Sequence, residues 1–353
     1  MTALPMPEVR KRPPGSAEPS AYPLIDRYGR VARDLRVSLT DRCNLRCTYC
    51  MPAEGLPWLP TPELLSDGEI LRLVDVGVSR LGITSVRLTG GEPLLRKNLE
   101  ALVAGIAALR PRPSIAMTTN GIGLARRAEA LAAAGLDRIN ISLDTLDPDT
   151  FTRLARRRRL PDVLAGVRAA RTAGLNPVKI NTVLLRGVNE HEAPDLLHWA
   201  MAEGVQLRFI EQMPLDAQHG WRRSEMVTAA EIRDRLGQHV GLVEDEQDAA
   251  TRGSAPAELF RVAGTDYAVG IIASVTQPFC GACDRVRLTA DGQIRNCLFA
   301  RTESDLRTPL RDGADDDEIA RRWVAAVRGK QPGHGIDDPT FLQPDRPMSA
   351  IGG

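Results

Sequence analysis

At 353 residues the chain has room for one large α/β domain or two smaller ones. A hydrophobic fraction of 43% supports an ordinary core, and a formal net charge of +1 argues against a general nucleic-acid or membrane-surface binder. No apolar run reaches the length of a membrane span, and the opening MTALPMPEVRKRPPG lacks a secretory apolar segment, so a cytoplasmic protein is expected.

In chain order, residues 1–25 read as a disordered leader, Pro-rich over the first stretch. DRYGRVARD then leads into an alternating segment, Arg36-Val37-Ser38-Leu39, that predicts a strand. Directly after it, Cys43, Cys47 and Cys50 stand in C-x₃-C-x₂-C spacing. Three thiolates on one short loop can hold three irons of a 4Fe–4S cluster and leave the fourth open, and open positions are where metal sites do chemistry. Zinc lacking a fourth ligand, or buried thiols acting as small hydrophobes, remain alternatives on spacing alone.

From there to about Met213 a β-rich run, a polar loop and a Gly-closed amphipathic helix recur. Ser66 and Glu69 predict a capping box for a helix ending before Gly82. Strands are predicted at 36–40, 83–89, 114–118, 138–143, 178–185 and 205–211, which implies a parallel sheet with right-handed crossovers. Ligands in such folds sit at the strands' C-terminal ends. Gly90-Gly91 after the second strand, Thr118-Thr119-Asn120-Gly121 after the third and Ser142-Leu143-Asp144 after the fourth are therefore candidates, with a tight turn or a helix cap as the plainer reading. Lys179 and Asn181 share a strand face opposite Ile180, and Arg87 poses the same question of a charge facing inward. The run Arg156–Arg159 reads as a solvated loop, with a supporting part in phosphate attraction as the alternative.

Beyond Met213 the rhythm lapses. One amphipathic helix falls within Trp221–Leu236, and Glu244–Gly253 reads as a polar linker. Glu258–Val262 and Tyr267–Val275 predict a hairpin, as do Val286–Ala290 and Gln293–Phe299 around Asp291-Gly292. The second hairpin returns Cys297 toward Cys280 and Cys283. No fourth Cys or His lies nearby in sequence, His334 being distant, so a second open-iron cluster explains the triad better than a closed zinc site. Arg285 and Arg287, two apart on a strand, form a two-pronged anion site or an exposed edge face.

The segments DRCNLRCTYCMP, GGEPLL, TTNG, NISLDTLD, VKINTVL, RFIEQM, FCGACDRVRLTADGQIRNCLF and a terminal IGG occur in that order. Together they resemble the radical S-adenosylmethionine enzymes and, within them, the GTP 3′,8-cyclase family of molybdenum cofactor biosynthesis, from about Tyr28 to Gly353. The resemblance implies an incomplete (β/α)₆ TIM-type barrel over 26–213 with a smaller antiparallel C-terminal domain over 214–353. It implies a first cluster on Cys43, Cys47 and Cys50, a second on Cys280, Cys283 and Cys297, and S-adenosylmethionine held by Tyr49, Gly91, Ser142, Arg208 and Met213. Reductive cleavage of that cofactor releases a 5′-deoxyadenosyl radical. GTP would meet Arg36, Arg87, Thr118, Lys179, Arg285 and Arg287, with Arg285, Arg287, Gly352 and Gly353 serving catalysis. Implied partners are an electron donor such as flavodoxin or ferredoxin, a downstream cyclic pyranopterin monophosphate synthase and a second copy in a homodimer, with no nucleic acid and no membrane. Ser85 departs from the pattern, since many relatives carry a basic residue there. A radical peptide modifier with an auxiliary cluster and a zinc-stapled binding module are the competing readings.

Overall fold

The computed structural model describes residues 22–352. Six strand–helix units come first, as the alternation requires. The strands are β1 (Asp34–Ser38), β2 (Ser85–Thr89), β3 (Ser114–Thr119), β4 (Arg138–Ser142), β5 (Val178–Val183) and β6 (Gln206–Ile210). The helices between and after them include α1 (Asp67–Ser79), α2 (Leu99–Ala107), α3 (Ala128–Ala133), α4 (Pro148–Ala155), α5 (Leu160–Thr172) and α6 (Ala193–Glu203). Leu35, Val37, Val86, Leu88, Ile139, Ile141, Ile180, Leu207 and Phe209 point outward beneath the helices and are all fully buried. Each such side chain contributes about 1.5–3 kcal/mol of burial, so the core lies outside the barrel strands. The inner face is thereby released from packing and carries polar residues.

The later strands are β7 (Leu242–Glu244), β8 (Glu258–Val262), β9 (Ala268–Ile272), β10 (Arg285–Leu288), β11 (Gln293–Arg295) and β12 (Ser304–Asp305). They join the same sheet, in the order β12-β11-β10-β1-β2-β3-β4-β5-β6-β9-β8-β7. The two expected hairpins form, β8 with β9 and β10 with β11. Their inner strands also pair parallel with the barrel, β10 on β1 and β9 on β6. The sheet remains open, as an incomplete barrel, but it runs through the boundary expected at 213/214. The second strand of the later hairpin stops at Arg295, so Cys297 lies beyond it. The expected linker Glu244–Gly253 contains a short helix, Glu246–Thr251, whose N-cap Asp245 accepts from the amides of Gln247 and Asp248. A helix over Asp316–Arg328 docks on α1, where Trp323 is fully buried and its ring lies 3.5 Å from the place a Cβ on Gly77 would take.

Of the expected leader, residues 1–21 lie outside the described residues. Tyr22–Ile25 do not fit that reading, because Leu24 is fully buried and its carbonyl accepts from Ala32 N at 2.8 Å.

The capping box of α1 forms as the sequence requires. Ser66 Oγ accepts from Glu69 N at 3.2 Å, and Glu69 Oε2 accepts from Ser66 N at 2.7 Å. Ser66→Ala should cost about 1 kcal/mol in a denaturant titration of the metal-free protein; an unchanged midpoint would mean that the cap contributes nothing.

Candidate active site

Period-two alternation sends every second side chain of each strand inward, and parallel register places them side by side. Arg36 is the register partner of Arg87 on β2 and of Arg287 on β10, while Asn140 on β4 faces Thr118 and Lys179. These residues line a cavity of about 660 Å³ that also takes in Asp34, Arg138, Ser142, Asn181, Arg208, Met213 and Arg285. Thr118, Tyr49, Cys50, Ser142, Asp144 and Met348 are shared with an adjoining space of about 180 Å³ around Cys43, Cys47, Gly90 and Gly91. The structure thus brings the expected cofactor and substrate residues onto one continuous hollow. Cys280, Cys283 and Cys297 do not line it, but their neighbours Phe279, Asp284 and Leu298 do.

The electrostatics are one-sided. Arg36, Arg87, Arg138, Lys179, Arg208, Arg285 and Arg287 all line the cavity, and none makes a salt bridge among the described residues. Arg36 Nε, Arg87 Nε and Arg87 Nη1 are buried with no hydrogen-bond partner. Two lining carboxylates are engaged elsewhere: Glu211 accepts from the amides of Ala229, Val275 and Thr276, and Asp284 from the Ser254 hydroxyl. Asp34 partly offsets Arg36 and Arg87 without forming a salt bridge to either. Burial pushes Arg36 down to about 9, helped by Arg285, and Arg208 down to about 10, helped by Arg285 and Arg138. Arg287 is driven well below its ordinary value by burial, then by Arg36 and Arg285. Arginine keeps its proton at neutral pH, so the lowered values express uncompensated charge. A buried charge is tolerated when paired, and what this lining lacks is a polyanion.

Individual side chains are pre-set. Arg208 donates to Asn181 Oδ1 from Nε at 3.0 Å and Nη2 at 2.6 Å. Arg285 stacks over Phe279 at 4.5 Å and donates to Ser254 O at 2.8 Å. Arg287 donates from Nη1 to the carbonyl of Gly352, so the chain's end does reach the inner face. Gly352 has φ of 85°, and a Cβ there would lie 2.7 Å from Thr89 Cγ2. The tail is secured upstream by Arg346 on Asp291 at 2.7 Å and on Glu303 at 3.0 Å. Gly353 lies outside the described residues. Tyr49 Oη donates to Asp144 Oδ2 at 2.6 Å, and Val183 N holds the other carboxylate oxygen at 2.9 Å. Burial pushes Asp144 up to about 6, against the pull of the Tyr49 bond.

Sequence reasoning missed Arg138 and gave Asp144 no distinct role. Arg138 donates to Ser114 Oγ at 2.6 Å and Ser85 Oγ at 3.2 Å, so a guanidinium from β4 lies over the position where a basic residue was missing. The signal was present in the alternation Arg138-Asn140-Ser142, which shares one strand face. The Arg156–Arg159 run has no part in the cavity. Arg156, at φ 54°, ends α4 and donates to Met51 O at 3.2 Å, bracing the Cys loop from behind, while Arg159 pairs with Asp162.

The Gly90-Gly91 turn needs its glycines for a reason that the sequence does not show. A Cβ on Gly90 would sit 2.4 Å from Thr40 O, and one on Gly91 2.3 Å from Arg42 O. The Cys loop itself passes there, with Gly91 N donating to Thr40 O at 2.7 Å and Glu92 N to Arg42 O at 2.8 Å.

Both triads suit a polynuclear cluster. Within each, the thiols are near enough to perturb one another, Cys47 by Cys50 and Cys43, and Cys280 by Cys297 and Cys283, in addition to the dominant burial. Yet no three His, Cys, Asp or Glu groups among the described residues converge as donors to a single metal ion, as a zinc site requires. His334 offers no fourth ligand: Nε2 lies 3.1 Å from Ser274 O, and Nδ1 accepts from Ile336 N at 3.1 Å.

Comparisons with known proteins agree with this geometry. The Radical SAM superfamily model matches residues 37–200, and the Molybdenum Cofactor Synthesis C model matches 205–336. A protein named GTP 3′,8-cyclase from Streptomyces coelicolor is 64% identical over 94% of this chain and 97% of its own. One from Mycobacterium sp. (strain KMS) is 60% identical over 100% of this chain and 99% of its own. Among solved structures, Streptococcus suis SuiB bound to S-adenosylmethionine has TM-score 0.56 at 15% identity, covering 85% of this chain and 69% of that one. Coproporphyrinogen III oxidase from Escherichia coli has TM-score 0.50 at 14% identity, covering 86% and 77%. These two show the likeness of fold.

The close approach at the turn is testable in metal-free protein. Gly91→Ala should destabilise by roughly 3 kcal/mol, at the upper end of common single substitutions, and reduce iron uptake on the first triad. Gly68→Ala, with nothing within 4 Å of its Cβ, serves as the control and should be neutral or stabilising. Equal behaviour of the two variants in denaturation would remove the steric argument.

Proposed function

The chain belongs to the GTP 3′,8-cyclase family of radical S-adenosylmethionine enzymes, and from that membership we propose that it converts GTP to 3′,8-cyclo-7,8-dihydro-GTP, the first step of molybdenum cofactor biosynthesis. The observation that carries the reading is the set of cavity cations without salt bridges, opening onto the Cys43–Cys50 turn. A triphosphate supplies several negative charges, and guanidinium forks match phosphate oxygens.

Cys43, Cys47 and Cys50 hold one 4Fe–4S cluster, with Tyr49, Gly91, Ser142, Arg208 and Met213 around S-adenosylmethionine. Cys280, Cys283 and Cys297 hold the second. When bound, the first cluster and S-adenosylmethionine supply the one-electron chemistry that removes a hydrogen atom from ribose C3′ of GTP. The protein's own part is placement and exclusion. Arg36, Arg87, Lys179, Arg285 and Arg287 grip the triphosphate with Thr118 beside them, and Arg138 supplies the cation that Ser85 does not. Asp144 fixes Tyr49, so that ring is oriented before any ligand arrives. The tail crosses the inner face at Gly352 and helps to keep water from the reacting carbon. An electron donor such as flavodoxin or ferredoxin, a downstream cyclic pyranopterin monophosphate synthase, homodimer formation and a cytoplasmic setting complete the proposal. No helix of the described residues is long and apolar enough to cross a membrane.

The decisive experiment uses anaerobically reconstituted protein with GTP deuterated at C3′. Deuterium should move into 5′-deoxyadenosine, and deletion of Gly352 and Gly353 should cut that transfer sharply while GTP still binds. Absence of transfer in the intact protein would remove the cyclase reading, and undiminished transfer after deletion would remove the tail.

Lys179 gives a second test. Burial pushes its ammonium down to about 8, helped by Arg208, Arg138 and Arg87. A triphosphate nearby favours the charged form and raises that value again, so binding near pH 8 should take up a proton, and affinity should fall as pH rises above it. Calorimetry in two buffers of different ionisation enthalpy measures the uptake. Lys179→Met should abolish it; uptake that persists would place the proton elsewhere.

A further inference from the structure

Besides Arg285 and Arg287, which act on the second triad from the cavity side, two cations bond to its backbone from outside the cavity, and their charges are handled differently. Arg30 reaches in from the N-terminal segment and donates to Cys280 O at 2.7 Å and Gln331 O at 2.6 Å. Its charge is neutralised at once by Asp26, 2.5 Å away and almost fully buried. Lys330 enters just past the helix Asp316–Arg328, with its backbone amide bonded to Val327 O. It is only 4% exposed. Its ammonium donates to Cys283 O at 3.1 Å, Arg285 O at 2.9 Å and Cys283 Sγ at 3.3 Å. Among the described residues no carboxylate forms a salt bridge with it. Fully buried lysines are rare unless paired, and the one group in reach that can carry negative charge is the Cys283 sulfur.

We propose that Lys330 is the positioning and charge-setting residue of the second cluster, holding Cys283 in its ligating place and raising the cluster's reduction potential. The proposal rests on Cys280, Cys283 and Cys297 being cluster ligands. One-electron reduction adds negative charge to a centre that already carries three thiolates. A fixed ammonium hydrogen-bonded to one of those sulfurs favours the more negative state, since net charge and hydrogen bonds to sulfur set cluster potentials. Arg30 is cancelled by Asp26, and Arg285 and Arg287 act on the triad from the cavity side without a side-chain hydrogen bond to its sulfurs among the described residues; Lys330 is the cation bonded to a ligand sulfur. It also ties Cys283 to the start of β10 through Arg285 O, so the ligand and the substrate-facing strand are held by one group.

The test uses the full chain with Cys43, Cys47 and Cys50 all changed to Ala, so that only the second cluster forms. Iron analysis comes first: about four irons per chain from one 4Fe–4S centre are required, and their absence would overturn the ligand reading itself rather than the role of Lys330. Potentiometric titration followed by electron paramagnetic resonance then compares Lys330 with Lys330→Met, Lys330→Gln and Lys330→Arg. The midpoint should move to more negative potential in the Met variant, less or equally so in Gln, and stay near the parent in Arg. An intact cluster with an unmoved midpoint in Lys330→Met would overturn the proposal. Should the Met variant lose its iron, the Gln variant decides in the same way: a negative shift supports charge setting, and an unmoved midpoint rejects it.

Discussion

Positive charge gathered on the inner face of the barrel, far in excess of its carboxylates and in no salt bridge among the described residues, is the constraint on which the rest of the architecture depends. Arg36, Arg87 and Arg287 are direct register partners on three adjacent strands, about 4.8 Å apart in the pairing direction. Like charges facing one another across strands are destabilising, so this row cannot hold the barrel together. Stability comes from the outward side chains under the helices. That separation lets the inner face stay electrostatically unsatisfied until a polyanion arrives, and a ligand that binds only the folded state then stabilises it by mass action.

The two cysteine triads depend on a different economy of space. The first loop is pressed so closely against the Gly90-Gly91 turn that no Cβ fits, and it is braced behind by Arg156. The second is held by segments distant in sequence, through Arg30 on Cys280 and Lys330 on Cys283, and Arg30 also ties the two segments together at Gln331 O. Each triad is therefore positioned by backbone contact from elsewhere rather than by the local turn alone.

Much of this was legible in the chain because period-two alternation separates inner from outer faces without further information. Lys179 and Asn181 line the cavity, Ile180 lies in the core, and Ser66 caps its helix as its sequence demands. What failed to show has physical reasons. Nothing local to Arg285–Leu288 says that it will pair parallel with β1, since that choice is made by a partner most of the chain away. Gly90 and Gly91 line the space beside the first triad, but sequence shows the absence of a side chain and not that the Cys loop fills the place of one. Arg138 escaped notice because its strand motif was read for its C-terminal end, where short hydroxyls stand. The residues Tyr22–Ile25 were assigned to the leader because their anchor, the turn back to Ala32, is a tertiary contact.

The parallel pairing of β10 with β1 also orders events during synthesis. Until residues 285–288 leave the ribosome, β1 presents an unpaired edge, the kind of surface that invites wrong partners. Contacts of such long sequence separation close late, because the entropy of joining distant segments comes due before they reward it. The six-strand half can therefore assemble around its first triad while that flank is still open. The nascent chain thus passes through a stage in which that flank of the barrel is uncovered.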